Sequence, residues 1–232
     1  MSMLKDWTTF EKVWIITFSV INIYLFFAWQ DSILGLITSI TGMVCVVLAA
    51  KGRISTYYFG IIQTATYAYI SYGYGLYGET MLNALFYFPV QFVGIYLWSK
   101  HKAKRMDAEG AEIEMRGLTG RGWFYVVTSF TFVFVLYAFI LKGLGGTSIW
   151  IDSATTILSI VAQVLMLQRY KEQWLFWISV NVLSILLWLT ALITQGGNDV
   201  SMLVMWSAFL INSIYGYSNW TKVYKKQMGR AA

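Results

Sequence analysis

The chain has 232 residues, 58% of them hydrophobic and only 12% charged, with a mean hydropathy of +0.59. Soluble domains average roughly 45–50% apolar and about 25% charged residues, so this composition is that of an integral membrane protein with the lipid bilayer as its partner. The net charge of +6 does not point to nucleic acid, because the cations sit between and beyond the apolar runs, and a single cysteine, Cys45, with a single histidine, His101, leaves no disulfide framework, no zinc set and no cofactor to expect.

A polar head, residues 1–12, leads into a first apolar run at 13–29. A lysine before an apolar stretch is also the pattern of a signal peptide, but no small-x-small cleavage site follows near Phe27 to Trp29, and the run reads as retained. The Gln30-Asp31 turn precedes a second run at 32–50, closed by Lys51-Gly52-Arg53; a third covers 54–72 and a fourth 80–98. Residues 99–121 form a polar connection, basic from Lys100 to Arg105 and acidic from Asp107 to Glu114, expected to be mobile or briefly helical. Four more runs follow at 122–141, 148–168, 173–193 and 199–220, and a basic tail closes the chain. Each run is near the ~20 residues a spanning helix needs, which predicts an all-α membrane protein of eight helices.

The charges test that count. If the runs alternate in direction, sixteen of the seventeen Lys and Arg fall on one side and only Lys142 on the other. By the positive-inside rule the crowded side is cytoplasmic, with both termini inside.

A weak internal repeat organises the runs. Arg53 and Lys171 close equivalent basic turns 118 residues apart, the same offset takes Gln63 onto Asn181, and Gly94 and Trp98 match Gly216 and Trp220 at an offset of 122. The expected architecture is two parallel three-helix bundles joined by a linker helix, 3+1+3, plus an extra N-terminal helix. The corresponding segments are 1–31 for the N-terminal part, 32–98 and 148–220 for the bundles, 99–147 for the linker and connecting helix, and 221–232 for the tail.

The chemistry concentrates in the seventh run. Trp177, Asn181, Ser184 and Trp188 fall at i, i+4, i+7 and i+11 and form one stripe, with Trp174 a turn earlier. Two readings fit: a binding face, or interfacial tryptophans with an amide bonding a neighbouring helix. Gln63, Gln91, Asn181 and Asn212 all come near the centres of their helices, and carboxamides offer a donor and an acceptor without formal charge, which suits substrate hydroxyls and amides. Pro89, the only proline, should bend the fourth helix beside Gln91. No carboxylate or histidine reaches the midplane, so facilitated movement is the simpler mechanism; Asp152, near the outer end of the sixth run, reads first as a helix N-terminal carboxylate. Gly73-Tyr-Gly75-Leu-Tyr-Gly78 spells G-x-G-x-x-G but follows a membrane helix rather than a strand, and no G-x-x-x-x-G-K-[ST] occurs, so neither a dinucleotide fold nor an ATPase is expected.

The sequence resembles the PnuC-type nicotinamide riboside transporters of bacterial inner membranes. The resemblance is most specific across Trp150 to Asn181, with WIDS, SIVAQVLM, the RYKEQW turn and W-x-x-W-x-x-x-N, and it is present at YYFGIIQ (57–63), VQFVGIYLWSK (90–100) and around Asn212. It implies a fold similar to that of the SWEET sugar transporters, facilitated uptake of nicotinamide riboside as substrate, and net flux maintained by cytoplasmic phosphorylation. It also implies Trp174, Trp177, Asn181, Gln91 and Asn212 as site residues; Trp188 and Gln63 are added from the stripe and the repeat. The chain is expected not to be an enzyme, since no nucleophile with a base lies at the midplane. The same scaffold with thiamine, riboflavin or a sugar as substrate, and a membrane scaffold or receptor, stay open, as does homo-oligomerisation.

Overall fold

A computed structural model describes residues 7–29, 32–73, 80–103, 111–143, 149–195 and 200–231. The described residues are helical apart from short connections. The helices are α1 (Thr9–Trp29), α2 (Ile33–Lys51), α3 (Thr56–Gly73), a π-helical turn (Leu82–Tyr87) running into α4 (Phe88–Lys100), α5 (Gly120–Gly143), α6 (Ile149–Leu167), α7 (Gln173–Gln195) and α8 (Val200–Ala231). Every apolar run of the sequence is a helix here. The G-x-G-x-x-G glycines after Gly73, and the acids Asp31, Glu79 and Asp199, lie outside the described residues, as does the side chain of Asp152.

Local signals explain several helix ends. Thr8 and Glu11 form a reciprocal capping box at the start of α1: the Thr8 N–H donates to Glu11 Oε2 (2.8 Å) and the Glu11 N–H to Thr8 Oγ1 (3.2 Å). Ser32 caps α2 by accepting from the Gly35 N–H at 2.9 Å, and Gly52, at φ 69°, ends it in the left-handed region that glycine enters without strain. Pro89 has no N–H to donate, and the helix before it opens into the π turn, where the Phe88 N–H reaches back to Asn83 O. The irregularity expected at the proline thus takes the form of a π turn just before it.

The chain divides into two compact units, Met1–Glu114 and Met115–Ala232. In the first, α1 packs on α2, α2 on α3, and α3 on α4 and the π turn; in the second, α5 packs on α6, α6 on α7 and α7 on α8. The connecting helix therefore belongs with the second unit, as the N-terminal helix does with the first. Both of these helices expose apolar side chains, among them Ile16, Val20 and Phe27 on α1 and Phe124, Phe132 and Phe139 on α5, as lipid contact requires. α1 is fixed to α2 by a buried ion pair, Lys51 Nζ to Glu11 Oε2 at 2.6 Å, with Trp7 beneath the ammonium.

The polar connection differs from its sequence expectation. Its described part after residue 110 is extended and stitched to each unit's basic turn. In the first unit Glu112 N–H donates to Gly52 O (3.1 Å), while its Oε2 accepts from the Ile54 N–H at 3.0 Å. In the second unit Arg116 N–H donates to Arg169 O (2.8 Å), Lys171 N–H returns the bond to Arg116 O (2.9 Å), and Glu172 Oε2 accepts from the Leu118 N–H (3.0 Å). Unpaired backbone groups at the two turns bind this segment, which is why Ala111, Ile113 and Met115 are buried despite the polar composition around them. The tail differs too. α8 has 32 residues, ~48 Å against a hydrocarbon core of about 30 Å, so Lys222, Lys225 and Lys226 extend a membrane helix rather than a separate tail.

Candidate functional site

The two units are built from the same local parts. In the first, the Gly52 N–H donates to Ala49 O and the Arg53 N–H to Leu48 O. In the second, the Arg169 N–H donates to Met166 O and the Tyr170 N–H to Leu165 O, with Arg169 at φ 65° in the place of Gly52. Each bond recurs 117 residues on, as do those that start α3 and α7, Tyr57 N–H to Ile54 O and Trp174 N–H to Lys171 O. Matching the turns by charge, Arg53 with Lys171, places the register one residue out. The counterpart of Asn181 is therefore Thr64, not Gln63.

The offset of 122 between α4 and α8 stands. Tyr57 meets Trp98 edge-on, with ring centroids 4.8 Å apart at 80°, and Trp174 meets Trp220 at 6.1 Å and 76°. Gly94 and Gly216 make these contacts feasible: a Cβ on Gly216 would lie 2.6 Å from the Trp174 ring, and one on Gly94 would overlap Tyr57. Trp174 is consequently 3% exposed, its ring held inside its own unit.

Two helical turns along, about 10 Å from this aromatic layer, each unit places a carboxamide and a hydroxyl on facing helices. In the second unit Asn181 on α7, 3% exposed, donates from Nδ2 to Ser213 Oγ on α8 at 2.9 Å. Its Oδ1 has no protein donor among the described residues. In the first unit the chemistry is exchanged between helices: Gln91 on α4 takes the place of Ser213, and Thr64 on α3 that of Asn181. Gln91 Nε2 donates to Tyr87 O at 3.0 Å, while its Oε1 lies against Gly60, close enough that a Cβ there would overlap it. Thr64 Oγ1 donates to Gly60 O at 2.8 Å. At the position of Gly60 the second unit carries Trp177, so an indole stands there where in the first unit the Gln91 amide lies against bare backbone.

Asn212 is buried on α8 beside Ser213. Trp177 is half-buried on the same side of α7 as Asn181, and the side chain of Trp188 lies outside the described residues. Gln63 is apart from this layer: its Cγ lies 3.2 Å from where a Cβ on Gly42 of α2 would stand, whereas Gln91 abuts the α4-facing side of α3. Sequence reasoning missed Ser213 and Thr64. The only signal for them was the repeat at its correct register, because a single hydroxyl in an apolar run otherwise reads as bonded to its own helix.

Electrostatically the layer is bare. Neither α3 nor α7 contains a charged residue, and the buried Lys51 is neutralised by Glu11. Among the described residues no three His, Cys, Asp or Glu side chains converge as a metal site would need. Such a layer can bind a solute through indole faces and amide oxygens, with neither a proton relay nor an anion hole.

The comparisons with known proteins agree with that chemistry. The family model described as nicotinamide mononucleotide transporter matches residues 32–222. The nicotinamide riboside transporter PnuC of Neisseria mucosa is 45% identical over 98% of this chain and 87% of its own length. That of Haemophilus influenzae is 39% identical over 96% and 94%. The crystal structure of the vitamin B3 transporter PnuC superimposes with a TM-score of 0.83 at 45% identity, covering 95% of this chain and 94% of that one. This multi-pass helical membrane protein belongs to the PnuC family of transporters.

Proposed function

We propose that the chain carries nicotinamide riboside across the membrane by facilitated diffusion, alternating access between the two sides, with net uptake maintained by phosphorylation of the riboside in the cytoplasm. The observation that carries this reading is the charge-free layer of buried amides beside indoles on α7. Nicotinamide riboside combines a permanently cationic pyridinium, a carboxamide and a ribose. An indole face attracts such a ring by about 0.5–2 kcal/mol without any anion that would need burying. Amide oxygens accept from the carboxamide and the hydroxyls.

The same layer favours the riboside over the mononucleotide. A phosphate would bring about two negative charges beside helices that hold no cation, and an unpaired buried charge is costly. The riboside named for the Neisseria and Haemophilus relatives supports the same choice. Trp177 and Asn181 are the proposed contacts, with Gln91 and Asn212 as further polar partners, Trp174 as the packed wall behind them and Trp188 continuing the stripe. Gln63, on the α2 side of α3, takes no part in this site.

The matched turns and aromatic layers support reading α2–α4 and α6–α8 as two parallel three-helix bundles, with α5 as the connector and α1 added at the front. The lysine and arginine distribution supports an inner-membrane protein with both termini in the cytoplasm.

Calorimetry on the purified chain tests the assignment. The riboside binds at micromolar or tighter affinity, thiamine and the mononucleotide do not compete, and Asn181→Ala or Trp177→Ala weakens binding about tenfold or more. Heat with thiamine and none with the riboside would discard the substrate. Transport of the mononucleotide at a comparable rate would discard the charge argument.

A further inference from the structure

We infer that Gly60 is a positioning residue: the bare backbone it gives α3 is the seat of the Gln91 amide, and this seat keeps the amide oxygen in place for a donor on the ligand. The inference rests on the functional reading above, in which Gln91 is a polar partner of the riboside, and adds what holds that partner in position. All of its parts belong to the first unit. The sense of the amide follows from its bond. Gln91 Nε2 lies 3.0 Å from Tyr87 O, and a carbonyl can only accept, so the nitrogen is the end turned toward it.

Oε1 is thereby the end that lies over Gly60, and among the described residues no protein group donates to it. The Thr64 hydroxyl, one turn further along α3, gives its single proton to Gly60 O at 2.8 Å and is not free to serve. A Cβ at residue 60 would stand 2.8 Å from Gln91 Cδ and closer still to Oε1, inside van der Waals contact of both. Gly94 and Gly216 also admit a neighbour, but of another kind. There it is a packed ring, Tyr57 or Trp174, whereas at Gly60 it is the far end of an unbranched chain that can swing to another rotamer. A methyl at residue 60 therefore displaces the amide and leaves the helices where they are.

The repeat gives the same two positions a second use. In the matched register residue 60 answers to Trp177 and residue 91 to Ser213, so each unit carries one long and one small residue there. The long one is on α4 in the first unit and on α7 in the second. In the first unit the smallness of residue 60 is what the length of residue 91 requires. Once evicted, the amide gives up its bond to Tyr87 O, and its oxygen no longer has a fixed place at which to meet a ligand.

The test is calorimetry with nicotinamide riboside on the purified full chain, as wild type, Gly60→Ala, Gln91→Ala and the double variant, each with a melting curve. Gln91→Ala weakens binding about tenfold, and Gly60→Ala does so by a similar factor. The melting temperature of Gly60→Ala is not lowered, because alanine is the better helix former and the group it displaces is flexible. In the double variant no amide is left to displace, so its affinity equals that of Gln91→Ala alone rather than the product of two losses. Losses that multiply, or wild-type affinity in Gly60→Ala, would overturn the inference while leaving Gln91 as a contact. A melting temperature lowered in Gly60→Ala and not restored in the double variant would make Gly60 a packing residue and overturn it too. If Gly60→Ala fails to fold, the double variant, free of the overlap, must fold and bind as Gln91→Ala does, and its failure would sink the inference. Wild-type affinity in Gln91→Ala would remove Gln91 from the functional reading, and this inference with it.

Discussion

At the scale of single residues, the pair Lys51 and Glu11 shows how an expensive group is accommodated. Both side chains are almost wholly buried, 2.6 Å apart, and the carboxylate also accepts from the Thr8 N–H. Removing one partner strands the other, which typically costs about 3–5 kcal/mol, whereas replacing both with apolar groups is often neutral. Lys51→Met should therefore lower the unfolding temperature in detergent markedly, and the double variant Glu11→Leu with Lys51→Met should recover most of the loss. A double variant no better than the single one would mean that the pair does more than neutralise itself. The T-x-x-E spacing of the capping box is legible in the sequence. Its second duty is not, because nothing local pairs residue 11 with a lysine 40 positions away. Gln173 poses the opposite case. Its carboxamide is fully buried and, among the described residues, neither Oε1 nor Nε2 is bonded, so Gln173→Met should match or exceed the wild type in thermal stability.

At the scale of elements, helix spacing is set by glycine against aromatic. Gly216 lets α8 close on the Trp174 ring as Gly94 lets α4 close on Tyr57. Gly216→Ala forces a methyl into that contact and should destabilise by about 1–3 kcal/mol, with Trp174→Phe in the same chain relieving part of it. An unshifted melting curve for Gly216→Ala would show that the helices yield more easily than this packing implies. These glycine and tryptophan positions were legible from their spacing, as were the eight helices among the described residues, since twenty apolar residues have few other fates. The register of the repeat was not. It is carried by backbone bonds around Gly52 and Arg169, and a left-handed residue can be glycine in one copy and arginine in the other, so identity of charge misled by one position. That single residue decides whether Thr64 or Gln63 answers Asn181.

At the scale of the whole molecule, the charge distribution gives a topology that labelling can check. In a Cys45→Ala background, Lys142→Cys should react with an impermeant maleimide on intact cells and Lys222→Cys only after permeabilisation. The reverse pattern would invert the assignment. The membrane class and the family were legible in composition and in the W-x-x-W-x-x-x-N face. The ordered course of residues 111–118 was not, because most of its partners are main-chain groups of turns far away in sequence, and backbone hydrogen bonding leaves no mark on residue type.

The ion pair at the base of α1 also bears on how the chain is made. Synthesis delivers α1 before α2, so Glu11 precedes in the chain the Lys51 that it neutralises. The buried charge of Lys51 is thus matched within these two helices. The N-terminal helix is in this way anchored through its own first turn to the last residue of α2, and the two hold together as one hairpin.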